Sequence, residues 1–144
     1  MSLAELEVQA SPEAVRLAAR VLQADIATSA WVDQVGFSLT GAQVADLLGR
    51  SAQAVSKDAR LLRLPRSDGR PAYPAFQFDG RRQLPGVAEV IRALSGALTP
   101  AGIAAWLTAT NGALGERRPL DALASGGADP VLVVARRLAA RAAR

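Results

Sequence analysis

The sequence contains no cysteine and no histidine. Disulfide bonds, thiolate nucleophiles, zinc sites built from these residues and mechanisms with a histidine base are therefore excluded. The acidic residues show no paired spacing, and neither a GxxxxGK[ST] nor a GxGxxG phosphate loop is present. We therefore expect a protein that is not an enzyme and that carries no metal and no cofactor.

Long hydrophobic runs are also missing, since no apolar stretch approaches the roughly 18 residues of a membrane span. The first residues include Glu5, Glu7 and Glu13 and lack a basic region, so we expect no signal peptide. These features favour a cytoplasmic protein. The 144 residues, 50% of them hydrophobic, are enough for one compact domain or two very small ones.

Positive charge is concentrated in one part of the chain. Residues 1–48 carry two basic and six acidic side chains, whereas residues 49–82 carry eight basic and three acidic ones. Residues 83–144 carry seven basic and four acidic ones. A basic block of this kind is typical of a surface that binds nucleic-acid phosphates.

The basic block begins inside a segment, Thr40 to Leu62, that predicts two short helices joined by a tight turn. Gly49 provides the turn, where a residue often needs positive φ. Ser51 is placed to cap the second helix. The first helix has an apolar face made of Val44, Leu47 and Leu48.

The second helix is predicted to have an inward and an outward face. The inward stripe at helical spacing is Val55, Ala59 and Leu62. The outward side chains are of types that hydrogen-bond base edges and phosphates in a major groove. They are Gln53, Ser56, Lys57 and Arg60.

This layout is typical of a helix-turn-helix, a DNA-binding motif that usually acts as a dimer. Two residues fit it imperfectly. Arg50 stands at a turn position that is commonly apolar, and Asp58 places a negative charge next to Lys57. The open alternative is an ordinary helical hairpin whose polar face is solvated.

A small β-hairpin, or wing, is predicted from Leu62 to Phe78 around a turn at residues 67–70. Pro74 in its second half predicts an edge strand. Asp79 and Gly80 predict a further turn. Beyond the outward stripe, the arginines predicted to contact DNA are Arg63, Arg66 and Arg70.

Helical patterns flank this region on both sides, so we predict a mainly α fold with five to seven helices. Residues 1–38 predict a helical extension, which begins at Ser11 and either covers the core or pairs with its copy in a homodimer. Residues 39–83 form the predicted DNA-binding region with its wing. Residues 84–144 predict a helical domain with a core-facing stripe on its first helix and later helix starts at Thr99, Pro119 and Asp129.

The segment from Trp106 to Arg137 carries a second pattern. From the residues alone, Trp106 is a core aromatic and Pro119 a helix start. The ordered set of residues, however, resembles the toxin-binding domain of the Xre/MbcA/ParS antitoxins. The matching positions are Trp106, Leu107, Asn111, Leu114, Gly115, Pro119, Leu120, Asp121, Leu123 and Gly126.

The resemblance implies a two-part protein. One half represses its own operon by binding promoter DNA, although its wing looks more like an excisionase or MerR-type module than the all-helical Xre form. The other half, residues 84–144, binds and neutralises a RES-domain toxin that consumes NAD or transfers its ADP-ribose. The implied toxin-binding residues are Trp106, Leu107, Asn111, Leu114, Leu120, Asp121, Arg136, Arg137, Arg141 and Arg144.

The tail of this chain is shorter and richer in alanine and arginine than the usual ending of that family. Two alternatives therefore stay open beside the antitoxin. One is a helix-turn-helix transcriptional regulator without a toxin partner. The other is a partner-binding module that makes no contact with DNA.

Overall fold

The computed structural model describes residues 37–143, and the mainly α prediction is confirmed within them. The predicted helix that begins at Ser11 and residue Arg144 lie outside the described residues. Within residues 37–143 the α-helices are α1 (Gly41–Leu48), α2 (Ala52–Ser56), α3 (Val87–Leu94), α4 (Pro100–Thr108), α5 (Pro119–Ala124) and α6 (Ala128–Ala142). The strands are β1 (Ser38–Leu39), β2 (Leu64–Pro65), β3 (Pro71–Pro74), β4 (Phe78–Asp79) and β5 (Arg82–Gln83).

Hydrogen bonds at the helix ends fix the turn between α1 and α2. The Gln43 N–H donates to Thr40 Oγ1 at 3.1 Å, and the Thr40 N–H donates to Gln43 Oε1 at 2.8 Å. This reciprocal capping satisfies two donors at the start of α1. Gly49 then ends α1 with a φ of 65°, and Ser51 Oγ accepts from the Ala54 N–H at 3.0 Å. The predicted turn glycine and capping serine are confirmed.

The second helix is shorter than the sequence predicts. It ends at Ser56, and Lys57 is its C-cap. Asp58 Oδ1 accepts from the Arg60 N–H at 2.9 Å. A local bond of this kind competes with the helical hydrogen-bond pattern, so the chain turns here instead of continuing as a helix.

The prediction of an inward and an outward face on the second helix is therefore wrong for the residues that follow its single turn. Val55 is fully buried as predicted, but Ala59 is exposed. Leu62 is buried in a different core from Val55. Two predicted DNA contacts follow α2 instead of lying on its outward face, and these are Lys57 and Arg60.

Strand β3 lies at the centre of a three-stranded antiparallel sheet of order β1-β3-β2. The first half of β3 pairs with β2, with Leu64 opposite Ala72, which confirms the predicted hairpin. The second half pairs with β1, with Leu39 opposite Tyr73. A separate antiparallel hairpin, β4–β5, follows at the predicted Asp79-Gly80 turn.

The predicted edge position of Pro74 is wrong, because β3 has a neighbour on each side. The register extends to place Pro74 opposite Leu62, two residues before β2 begins. The fully buried Gln77 fills this gap. The Leu62 N–H donates to Gln77 Oε1 at 2.8 Å, and Gln77 Nε2 donates to Leu62 O at 2.8 Å and to Pro74 O at 3.2 Å. The side-chain amide thus supplies hydrogen bonds that proline, without an N–H, cannot offer.

The described part of the chain has two hydrophobic cores, and the consecutive residues Leu61 and Leu62 belong to the first and the second core. The first core holds α1, α2 and β3 together through Val44, Val55, Leu61 and Tyr73. The second core contains Leu62 and Leu64 together with buried side chains of α3 to α6. Side chains from both sides of the predicted boundary at residues 83 and 84 therefore share one core, and that boundary stays a prediction.

The C-terminal helices follow most of the sequence signals. The predicted stripe on α3 is confirmed, since Val87, Val90, Ile91 and Leu94 are all buried. Thr99 Oγ1 accepts from the Gly102 N–H at 3.1 Å and caps α4, and α5 begins at Pro119. Asp129 does not cap α6, because the helix begins one residue earlier with Gly127 at its N-cap. None of the described helices is long and apolar enough to cross a membrane.

We expect Gln77→Met to lower the free energy of unfolding by about 2–4 kcal/mol, because both backbone groups of the buried Leu62 lose their partner. Urea denaturation followed by circular dichroism measures the change. Gln53→Met is the matched control, since the same substitution at an exposed site should alter stability by no more than about 0.5 kcal/mol. Equal midpoints for the two variants would contradict this role of Gln77.

Candidate functional site

A buried carboxylate organises the basic residues around α2. The Asp58 side chain is only 6% exposed and receives Arg50 Nη1 at 2.6 Å. Arg60 approaches the same carboxylate with Nε and Nη2, each at 2.9 Å. The two residues that fit the helix-turn-helix pattern imperfectly, Arg50 and Asp58, therefore pair with each other.

These contacts keep Asp58 ionised. Hydrogen bonds from the Arg60 side chain hold the pKa of Asp58 far below its usual range, against the opposing effect of burial, and Arg50 adds to the lowering. The same hydrogen bonds raise the pKa of Arg60. One buried negative charge thus offsets part of the positive charge beside α2, while the Arg60 side chain stays 66% exposed.

The other DNA contacts predicted in and just after α2 differ in whether their side chains already form hydrogen bonds or ion pairs. Gln53 and Lys57 are exposed, and Lys57 forms no ion pair with another residue of the described part. Ser56 Oγ donates to Gln53 O at 3.0 Å, so its hydroxyl serves the helix itself. Arg63 donates to Ser56 O and so lies at the C-terminal end of α2, where a cation is favoured by the helix dipole.

The tip of the β2–β3 hairpin carries the last two predicted contacts. Arg66 Nη2 lies 3.0 Å from Asp68 Oδ2, and both side chains are partly exposed. The Arg70 N–H donates to Asp68 Oδ1 at 2.9 Å, while its side chain is exposed. Exposed ion pairs are weak, so both arginines are available to a polyanion.

The motif leucines of the predicted toxin-binding set lie inside the domain. Leu107 is fully buried and Leu120 is buried in the same core. Both side chains therefore help to shape the domain, as expected for Leu120, and their contact with a partner stays a prediction. Trp106 and Leu114 are partly buried and pack against this core.

Asn111 organises the loop between α4 and α5. Its Oδ1 accepts from the Ala113 N–H at 3.0 Å, and its N–H donates to Arg117 O at 3.0 Å. Its carbonyl oxygen accepts from the N–H groups of Leu114 and Glu116 at 2.9 and 3.0 Å. With its amide oxygen and both backbone groups engaged, Asn111 acts on the shape of the loop.

Asp121 is exposed but tied to the start of α5. Arg118 Nε and Nη2 each donate to its carboxylate at 2.7 Å. This bidentate contact lowers the pKa of Asp121. The pair fixes the side chain in one geometry, so Asp121 presents an oriented, partly neutralised carboxylate.

An exposed stripe runs along α6. Val133, Arg137 and Arg141 follow at intervals of four residues and lie on one helix face, and we name them the α6 stripe. Val133 is 44% exposed, and both arginines are exposed. Arg136 lies beside the stripe and lines a shallow cleft with Glu89 of α3. An exposed apolar side chain flanked by arginines suits a protein contact.

Within residues 37–143, no three acidic side chains lie close enough together to hold a metal ion. No protein-family model, curated protein or solved structure matches the chain. The sequence pattern did not reveal the Arg50–Asp58–Arg60 cluster, whose only signal was that two of its members disagreed with the motif.

The stability contributed by Asp58 should depend on pH. Its pKa is lower in the folded chain than in the unfolded one, where it is about 3.9. Its ion pairs therefore stabilise the fold above that value, and the stabilisation is lost as pH falls towards the folded pKa. We expect Asp58→Asn to lower the free energy of unfolding by about 2 kcal/mol at pH 7, and by clearly less at pH 3.

Urea denaturation at the two pH values measures this difference. Asp68→Asn is the control, because its partner Arg66 is exposed and such pairs contribute about 0–1 kcal/mol. A deficit of the same size at both pH values for Asp58→Asn would show that the charge of Asp58 is not the cause.

Proposed function

We propose that the protein is an antitoxin that binds DNA through the region around α1 and α2 and binds a RES-type toxin through its C-terminal helices. The observation that carries this proposal is that the C-terminal helices combine the antitoxin-like pattern with an exposed basic stripe that lies outside this pattern. The leucines of the pattern build the second core, and this core holds the α6 stripe exposed to solvent. The same chain carries a second basic surface around α2.

The DNA-binding half of the proposal is supported by the joint between the first two helices. Capped helices α1 and α2 meet at a left-handed glycine and share one core, as the two helices of a helix-turn-helix do. Gln53 and Lys57 are exposed at α2. The hairpin β2–β3 follows directly and presents Arg66 and Arg70 at its tip, where a wing would reach a phosphate.

The short length of α2 changes how this surface would read DNA. Only its single turn and its C-cap residue Lys57 offer side chains to a groove, since the helix ends at Ser56. Arg60 is held by Asp58 and keeps an exposed guanidinium. Because the Arg60 guanidinium already donates to the Asp58 carboxylate, it suits phosphate binding better than bidentate recognition of a base. Bidentate recognition needs two free N–H donors. We infer that base readout belongs to Gln53 and Lys57, and phosphate binding to the arginines.

The toxin-binding half is supported by the α6 stripe and the loop that Asn111 organises. Burial of an exposed valine gives a partner an apolar anchor, and the adjacent arginines offer bidentate contacts to carboxylates or polar groups. Arg136, beside the stripe, would add a further cation. A helix-turn-helix regulator without a toxin partner is the second candidate, favoured by the basic surface around α2 alone.

We expect the double variant Gln53→Ala/Lys57→Ala to bind the promoter of its own operon about tenfold more weakly or worse, because it loses a base contact and a cation. Fluorescence anisotropy with the duplex upstream of the gene measures the affinity at fixed salt. The control is Arg137→Ala/Arg141→Ala, which also removes surface side chains. Unchanged affinity of the first variant would exclude α2 as the reading element.

We expect Arg137→Ala/Arg141→Ala to lose most of its binding to the product of the adjacent gene and most of its protection in co-expression. Alanine favours helix, so α6 should persist, and DNA binding should be unchanged. The control is Gln53→Ala/Lys57→Ala, which should still protect. An adjacent product that is neither toxic nor bound by the unmodified protein would favour the regulator without a toxin partner.

A further inference from the structure

The second hairpin, β4–β5, has a basic tip. Phe78 pairs with Gln83 and Asp79 pairs with Arg82, so Gly80 and Arg81 form the turn. Gly80 has a φ of 66°, the left-handed conformation that such a tight turn requires. Both arginines are exposed.

Three contacts hold this hairpin next to Arg60 and the first core. Gln83 Nε2 donates to Arg60 O at 2.6 Å, and it also donates to the buried Gln77 Oε1 at 3.1 Å. Phe78 packs against the first core, which holds α1 and α2. Because Arg81 is two residues from Gln83, the Cα atoms of these two residues lie within about 7 Å of each other.

The charge of the hairpin tip is less compensated than that of the cluster around Asp58. Arg82 Nη2 lies 3.7 Å from Asp79 Oδ2, and the two side chains are 68% and 60% exposed. A pair so exposed and so long is worth little. Arg81 has no ion-pair partner among residues 37–143. The hairpin therefore adds positive charge next to a surface whose central arginines are partly neutralised.

We propose that the β4–β5 hairpin is a second DNA-backbone contact beside α2, in which Arg81 and Arg82 bind duplex phosphates. A polyanion fits this hairpin because Arg81 and Arg82 are both exposed cations. Their acidic neighbour Asp79 forms only a weak ion pair with Arg82. The hydrogen bond of Gln83 places the hairpin next to the backbone of Arg60, whose guanidinium is exposed. This inference rests on the proposed DNA binding, and it assigns residues that the antitoxin-like pattern does not contain.

The test compares the full chain with Arg81→Ala/Arg82→Ala across a series of salt concentrations. The probe is the duplex from upstream of the gene, and anisotropy gives the affinity at each concentration. Each phosphate contact contributes about 0.9 to the slope of log affinity against log salt. We expect the variant to lose roughly 2 from that slope, and to bind about tenfold or more weakly at low salt.

Two further variants separate charge from structure. Arg81→Lys/Arg82→Lys keeps both cations and should retain most of the slope. Arg137→Ala/Arg141→Ala removes the same number of charges from α6 and should leave the slope unchanged. Circular dichroism of each variant establishes that the fold is retained.

The outcomes separate this inference from the proposed function. If the unmodified chain binds DNA and Arg81→Ala/Arg82→Ala has the same slope, the hairpin assignment is overturned and the proposed function stands. If this variant keeps its slope but loses its protein partner, the hairpin contacts an acidic protein surface instead, which also overturns the assignment. If the unmodified chain binds no duplex at low salt, both proposals fall.

Discussion

The amide of Gln77 bonds to both backbone groups of Leu62 at the point where the chain passes from one hydrophobic core to the other. Leu61 packs with α1 and α2, while Leu62 packs with α3 to α6. Gln77 also receives the Leu84 N–H at its backbone oxygen, at 2.7 Å. Gln77 thus holds the segment before the central strand through its side chain and the segment after it through its backbone oxygen. Buried amides are retained where every donor and acceptor is matched, and the relative position of the two cores depends on this match.

The buried charge beside α2 is matched in a similar way. A lone buried carboxylate is costly, but Asp58 receives two guanidinium groups and a backbone N–H. The carboxylate turns the chain out of α2 and orders the arginines that surround it. The surface that results combines a short helix, the two hairpins that follow it in the sequence, and arginines that are partly neutralised to different extents. If the surface binds DNA as proposed, most of its contacts would go to phosphates and few to bases.

The sequence was a good guide to local features and a poor guide to the roles of single motif residues. The stripe on α3, the turn at Gly49 and the start of α5 at Pro119 follow from spacing and from the conformational preferences of glycine and proline. Leu107 and Leu120, by contrast, are two of the positions that resemble the antitoxin pattern, and both lie in the second core. A pattern of matching residues does not distinguish those that contact a partner from those that support the surface.

Composition and periodicity by themselves determined that the chain is mainly α, where most helices begin, and where positive charge gathers. These properties depend on neighbours within a few residues, which the sequence displays directly. Tertiary structure alone decided that α2 stops at Ser56, that Pro74 lies in a central strand and that the β4–β5 hairpin stands beside Arg60. The last two depend on partners distant in the sequence: Pro74 on the β1 strand with Gln77 filling the gap to Leu62, and Gln83 on Arg60. The end of α2 depends on the local bond from the Arg60 N–H to Asp58, whose buried charge is also paired with Arg50. The spacing of residues within a short segment does not predict such pairs, because their hydrogen bonds form only when packing brings the segments together.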